Sequence, residues 1–107
     1  MSNTLEGIKE LVESCDVRIS EHGYDELAND NLIAREIVEG IKNAVLIEDY
    51  PNYPKGTSIL VLQSDGNGNP VHVVWGIPIG HNRPAVLVTA YRPDPQRWND
   101  SFTERKR

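Results

Sequence analysis

The fold of this chain is decided by residues 59–75, which read ILVLQSDGNGNPVHVVW. Two apolar runs rich in β-branched residues flank the segment 65–69, DGNGN. A turn rich in glycine and asparagine between two such runs is typical of a β-hairpin. Residues 59–62 and 71–75 are therefore predicted to be paired antiparallel strands.

Two further strands are predicted outside this hairpin. Residues 45–50, VLIEDY, are rich in strand formers and stop at Pro51, and residues 85–91, AVLVTAY, stop shortly before Pro93. The sheet is expected to cover about residues 45–92.

The first half of the chain has a helical pattern instead. Apolar residues recur at helical spacing after Thr4, which predicts a first helix. Ser20 and Glu21 are predicted to open a second helix, and Asp30 or Asn31 is predicted to cap a third. A short extended piece, residues 17–19, separates the first two helices.

This order of elements predicts an α+β fold in a single domain, residues 1–107. The helical part, about residues 4–43, is expected to pack on one face of a C-terminal antiparallel sheet, and residues 93–107 are expected to form a tail.

The composition excludes several classes of protein. The longest apolar stretches have four residues, whereas a membrane-spanning helix needs about 20. The N-terminal residues lack the basic and apolar regions of a secretion signal, and one cysteine cannot form an internal disulfide. We therefore expect a cytoplasmic protein without membrane contact.

Charge is distributed unevenly along the chain, whose net charge is −5. Residues 1–54 carry 12 acidic and 4 basic side chains, whereas residues 55–107 carry 4 acidic and 7 basic ones. This asymmetry indicates either a nucleic-acid surface on the second half or a solvated basic tail, since three of the seven cations are the last three residues.

His72 is a candidate for acid–base chemistry. It alternates with the bulky side chains of its strand, so it is expected on the opposite sheet face, together with Gly76. The last strand must place either Tyr91 or Arg92 on that same face. Such a group could transfer protons and stabilise developing negative charge. The alternative is a structural histidine held by a backbone carbonyl, with a tyrosine covering the end of the sheet.

His22 is a second candidate, because a position near a helix N-terminus favours a neutral imidazole. A metal or cofactor is not expected. His22, His72, His81 and Cys15 have none of the spacings typical of metal ligands, and no glycine-rich phosphate loop leads into a helix.

Four residues are candidates for RNA binding: Lys55, Arg83, Arg97 and Trp98. Arginine and lysine contact phosphate, and tryptophan can stack on a base. For Trp98, the alternative is an anchor that pins the tail onto the sheet.

Four blocks of sequence, taken in order, resemble the bacterial domain-of-unknown-function family 4258. They are VRISEHGYDEL (17–27), IEDYP (47–51), PVHVVWG (70–76), and VTAYRPDP (88–95) with Trp98. That family is similar to small toxins of the RelE, BrnT and MqsR type, in which helices pack on an antiparallel sheet.

The resemblance implies a metal-independent mRNA endoribonuclease that acts with or without the ribosome. In such enzymes the RNA 2′-hydroxyl attacks the adjacent phosphate. Carried over by position, His22 or His72 would be the base, Tyr91 a proton donor or phosphate contact, and Arg92 the charge stabiliser. The implied partner is a cognate antitoxin of the zinc-ribbon or helix-turn-helix type.

Two other functions are compatible with these residues. A non-catalytic protein- or RNA-binding module would better fit the net charge of −5 and Glu26, which stands where many family members carry an arginine. A small-molecule-binding domain would use the aromatic side chains of Tyr50, Trp75 and Tyr91.

Overall fold

The computed structural model describes residues 3–106. Its elements in chain order are α1 (Asn3–Glu13), β1 (Val17–Ile19), α2 (Glu21–Asn29), α3 (Ala34–Glu39), a 3₁₀ helix (Gly40–Asn43), β2 (Val45–Tyr50), β3 (Ser58–Ser64), β4 (Pro70–Gly76) and β5 (Ala85–Tyr91). No helix within residues 3–106 has the length and apolarity needed to cross a bilayer.

The α+β prediction is confirmed: the helices are N-terminal and the sheet C-terminal. The five strands lie in the order β1-β5-β4-β3-β2. Strands β2 to β5 form the predicted antiparallel meander, whereas β1 pairs in parallel with β5. The sheet is therefore mixed, because the short extended piece at residues 17–19 joins it as an edge strand.

One helix start differs from the prediction, whereas another is confirmed. The Ser20 hydroxyl accepts a hydrogen bond from the Gly23 N–H and caps α2, as predicted. Asp30 instead ends α2, and α3 begins at Ala34 without a side-chain cap. The Asp30 carboxylate accepts a hydrogen bond from the backbone N–H of Arg92, so it fastens α2 to the end of β5.

The hydrophobic core lies between the helices and one face of the sheet. It includes Ile8, Ile37, Ile41, Ile59, Val61, Val71, Val73, Trp75 and Leu87, all almost completely buried. A polar link crosses this layer: the Trp75 indole donates to Gln63 Oε1 at 2.9 Å, and Gln63 Nε2 donates to the carbonyl of Ile37 at 2.6 Å. This link satisfies buried polar groups, as a closely packed core requires.

The other side of the sheet, here called the outer face, is partly covered by the C-terminal segment 93–106, here called the tail. Trp98 and Arg105 form an antiparallel bridge, and the Lys106 N–H donates to the carbonyl of Arg97 at 2.8 Å. Trp98 is 6% exposed. Residues 97–106 therefore fold back on themselves, whereas Arg107 lies outside the described residues.

Candidate active site on the outer face

The outer face acquires its polar residues through two β-bulges. Between β4 and β5 the register shifts at Val74/Trp75, so that Tyr91 lies opposite His72. In the unshifted register Ala90 would take that place. Since a bulge inserts one residue and re-aims those beyond it, it places Tyr91 rather than Ala90 opposite His72.

The second bulge lies between β2 and β3. The register shifts between Leu46 and Glu48, so Glu48 pairs with Leu60 on the outer face. Without this shift Ile47 would lie opposite Leu60, and Glu48 would face the helices. The bulge therefore directs Glu48 toward the tail, and Asp49 takes the position opposite Ile59.

His72 is completely buried beneath the tail. Its Nε2 lies 2.7 Å from the carbonyl oxygen of Phe102, and its ring makes edge-to-face contacts with Trp98 at 4.4 Å and Tyr91 at 5.5 Å. A carbonyl only accepts hydrogen bonds, so Nε2 carries the proton. Burial lowers the pKa of His72 below its usual value, which keeps the ring neutral.

The second ring nitrogen of His72, Nδ1, has no hydrogen-bond partner within residues 3–106. It is the unprotonated nitrogen, and it is buried. In this arrangement His72 holds the tail on the sheet and is shielded from any ligand in solution.

The tail brings a cation to Glu48. The Arg105 guanidinium lies 5.0 Å from the centre of the Trp98 ring, and its Nη2 donates to Glu48 Oε1 at 3.0 Å. The two side chains of this ion pair are 65% and 38% exposed, so both can be reached from solvent.

Two tyrosines complete this group. Tyr50 interacts with the Glu48 carboxylate, and both Tyr50 and Tyr91 are influenced by the charges of Glu48 and Arg105. The hydrogen bond from Arg105 is the main cause that lowers the pKa of Glu48, whereas burial raises the pKa of both tyrosines. Glu48 is therefore ionised at neutral pH and the two phenols keep their protons. We call Glu48, Tyr50, Tyr91 and Arg105 the outer-face quartet.

An apolar groove runs over the outer face from the quartet. Its volume is about 530 Å³, and Tyr50 belongs to both the groove and the quartet. Its other lining residues include Tyr53, Lys55, Val74 and Gly76. At Gly76, an added Cβ would lie 3.1 Å from the Ser58 hydroxyl, so the absence of a side chain keeps the floor open there.

The structure brings together only part of the predicted catalytic set. His72 and Tyr91 are neighbours. His22 lies on α2, which packs against the helix side of the sheet, and its exposed ring is 3.7 Å from Glu26. Arg92 extends past the end of β5, where it donates to Asp65 at 2.9 Å and to the carbonyl of Asp30. Neither His22 nor Arg92 belongs to the quartet.

The predicted RNA-binding residues are also separated. Lys55 lines the groove, whereas Trp98 is buried over His72 and has no free face for a base. Arg83 pairs with Asp16 at 2.6 Å beside β1, and Arg97 lies 3.9 Å from Asp94 at the start of the tail.

The sequence interpretation missed Glu48 and Arg105. In a regular strand Glu48 would share a face with Leu46 and Tyr50, and nothing local marks the bulge that re-aims it. Arg105 stands among three terminal cations, which are ordinarily solvated. Glu48 and Arg105 are 57 positions apart, so the sequence contains no spacing signal for their contact. Within residues 3–106, no three His, Cys, Asp or Glu side chains are grouped as a metal ion would require.

The fold and this site define a small α+β protein with a cluster of ionisable side chains and a groove on the helix-free face of its sheet. Residues 19–92 match the family described as "Domain of unknown function (DUF4258)", and the chain belongs to that family. The match includes Glu48, His72 and Tyr91 and ends before the tail. No curated protein and no solved structure matches the chain.

Proposed function

We propose that this protein is a metal-independent endoribonuclease of the toxin type, with its active site at the outer-face quartet. The observation that carries the proposal is the Glu48–Arg105 contact, which is linked to the open groove by Tyr50. RNA transesterification requires a base, an acid and a group that stabilises negative charge, and a carboxylate, a protonated phenol and a guanidinium can supply these.

The roles follow from the protonation states. Ionised Glu48 takes the proton of the RNA 2′-hydroxyl, whose oxygen forms a bond to the adjacent phosphorus. The bond from phosphorus to the 5′-oxygen breaks, and Tyr91 gives its proton to that leaving oxygen. Arg105 stabilises the additional negative charge on the phosphoryl oxygens. The products are a 2′,3′-cyclic phosphate and a 5′-hydroxyl.

His72 has a positioning role in this proposal, since it holds the tail that carries Arg105. A cognate antitoxin of the zinc-ribbon or helix-turn-helix type is the proposed partner, and it would silence the enzyme by covering the outer face. Cytoplasmic mRNA, free or on the ribosome, is the proposed substrate.

The test is cleavage of a single-stranded RNA by the purified chain in EDTA, with the product ends identified chemically. Glu48→Gln and Tyr91→Phe should each lower the cleavage rate by about 10²–10⁴-fold, the usual contribution of a general base or acid. Glu13→Gln on α1 and Tyr24→Phe on α2 are matched controls, since both are exposed, and should cleave as the wild type does.

A folded wild-type chain that leaves RNA intact would overturn this proposal. That result would favour the non-catalytic binding module, for which the sealed position of His72 is the supporting observation. Equal rates for Glu48→Gln and Glu13→Gln would instead place the chemistry outside the quartet.

A further inference from the structure

We propose that the outer-face groove is a nucleobase site that holds one unstacked base of single-stranded RNA next to the cleaved phosphate. This inference rests on the proposed function. It adds a base-binding subsite to the proposed active site and specifies single-stranded RNA as the substrate.

The shape of the groove fits a flat, largely apolar ligand. Val74 and Gly76 of β4 and Val86 of β5 form the floor, and Tyr50 and Tyr53 add aromatic rings. Every nucleobase has a π-face that can stack on such rings, which makes tyrosine-lined grooves suited to unpaired bases. A base within a duplex is already stacked and cannot enter.

The charges of the molecule fit a ligand that also carries phosphate. Lys55 is the charged lining residue of the groove, and Arg105 is the cation at its quartet end. Residues 3–43, which include all the helices and β1, carry 10 acidic and 4 basic side chains, and the helices lie on the opposite side of the sheet. A polyanion is therefore favoured on the outer face and disfavoured on the helix side.

Continuity with the quartet places the base beside the reacting phosphate. Tyr50 lines the groove and interacts with Glu48, so a nucleotide whose base occupies the groove has its backbone near the Glu48–Arg105 pair. The alternative occupant, an apolar peptide segment, would gain nothing from Lys55 at the rim.

The test uses a fluorescent 2′-O-methyl oligonucleotide, which the chain can bind but cannot cleave because its 2′-oxygen has no proton to lose. Tyr53→Ala should weaken binding by about 5- to 100-fold, the range for loss of one base–aromatic stack. Lys55→Ala should reduce the slope of log affinity against log salt by about 0.7. Tyr24→Ala, which removes an exposed tyrosine on α2, should bind as the wild type does.

An abasic substitution in the oligonucleotide identifies the seated base. At one position of the oligonucleotide, removal of the base should weaken binding to the wild type as much as Tyr53→Ala does. Removal of the same base should not weaken binding to the Tyr53→Ala variant any further. Equal binding by Tyr53→Ala and Tyr24→Ala would overturn the nucleobase site even if the chain cleaves RNA. Binding with the predicted losses but without cleavage would support the nucleobase site and overturn the endoribonuclease.

Discussion

His72 is neutral in the folded protein because its surroundings offer no place for a second proton. Nε2 already carries one proton and donates it to the Phe102 carbonyl, while Nδ1 is buried without an acceptor. Protonation of Nδ1 would create a buried cation with an unpaired N–H, which is unfavourable. This one nitrogen therefore links the pH to the stability of the contact between tail and sheet.

The free energy of unfolding is predicted to fall as the pH falls below about 6.5. The pKa of His72 is lowered in the folded state from its usual 6.5, so below 6.5 the unfolded chain binds more protons. The stabilising contribution of neutral His72 is fully present above pH 6.5. It is lost progressively as the pH falls toward the folded-state pKa of His72. Urea unfolding at pH 7.5, 6.5 and 5.5 measures this dependence.

His72→Gln is the control for this effect, because glutamine keeps an N–H donor for Phe102 but does not titrate. Its unfolding free energy should depend less on pH in the same window. Identical pH dependence of the variant and the wild type would show that other groups are responsible. His72→Ala should be less stable than His72→Gln at pH 7.5, because it also loses the donor.

At the scale of elements, close approach of α2 to β5 is controlled by a glycine. A Cβ added at Gly23 would lie 2.7 Å from the carbonyl oxygen of Leu87 and 3.1 Å from the Ser20 hydroxyl that caps the helix. Glycine ordinarily destabilises a helix. At position 23 it is favourable because it permits a short distance between α2 and β5.

Gly23→Ala is predicted to destabilise the protein by about 1–3 kcal/mol, the usual range for overpacking, although alanine is the better helix former. Gly7→Ala in α1 is the matched control. A Cβ there would meet only Ile77 Cδ1, at 3.9 Å, and the variant should gain about 0.5–1 kcal/mol. Denaturant midpoints of the two variants measure the difference. A gain at both positions would contradict the close approach of α2 to β5.

At the scale of the whole molecule, the sheet separates the apolar core on its helix side from the polar groups and the tail on its outer face. The main core lies on the helix side, and its cluster contains no residue of the tail. The outer face carries the tail, the quartet and the groove. The tail is held there by Trp98, by His72 and by the Glu48–Arg105 pair.

Trp98→Ala is therefore predicted to release the tail and leave the sheet folded. In hydrogen-exchange experiments, the amides of Asn99 and Lys106, which donate to Glu104 and Arg97, should lose their protection. Amides in β3 and β4 should keep most of theirs. Loss of protection in both regions at once would mean that the tail and the core unfold as one unit.

The chain order of the elements was determined by the sequence, because the signals are local. The DGNGN turn at 65–69 predicts the β3–β4 hairpin, and the bounds of β2 and β5 agree with the runs that end near Pro51 and Pro93. The alternation in β4 also predicts correctly that His72 lies away from the main core. Local propensity and turn chemistry suffice for these features, since neighbouring residues decide them.

Only the tertiary structure decided which residues form the site. The bulges that direct Glu48 and Tyr91 to the outer face arise from pairing between strands, and a shift of one residue would have selected other side chains. The sealing of His72 by Phe102 and the contact of Arg105 with Glu48 join positions 30 and 57 residues apart. Contacts at such separations depend on how the tail packs on the assembled sheet, and no local pattern encodes them.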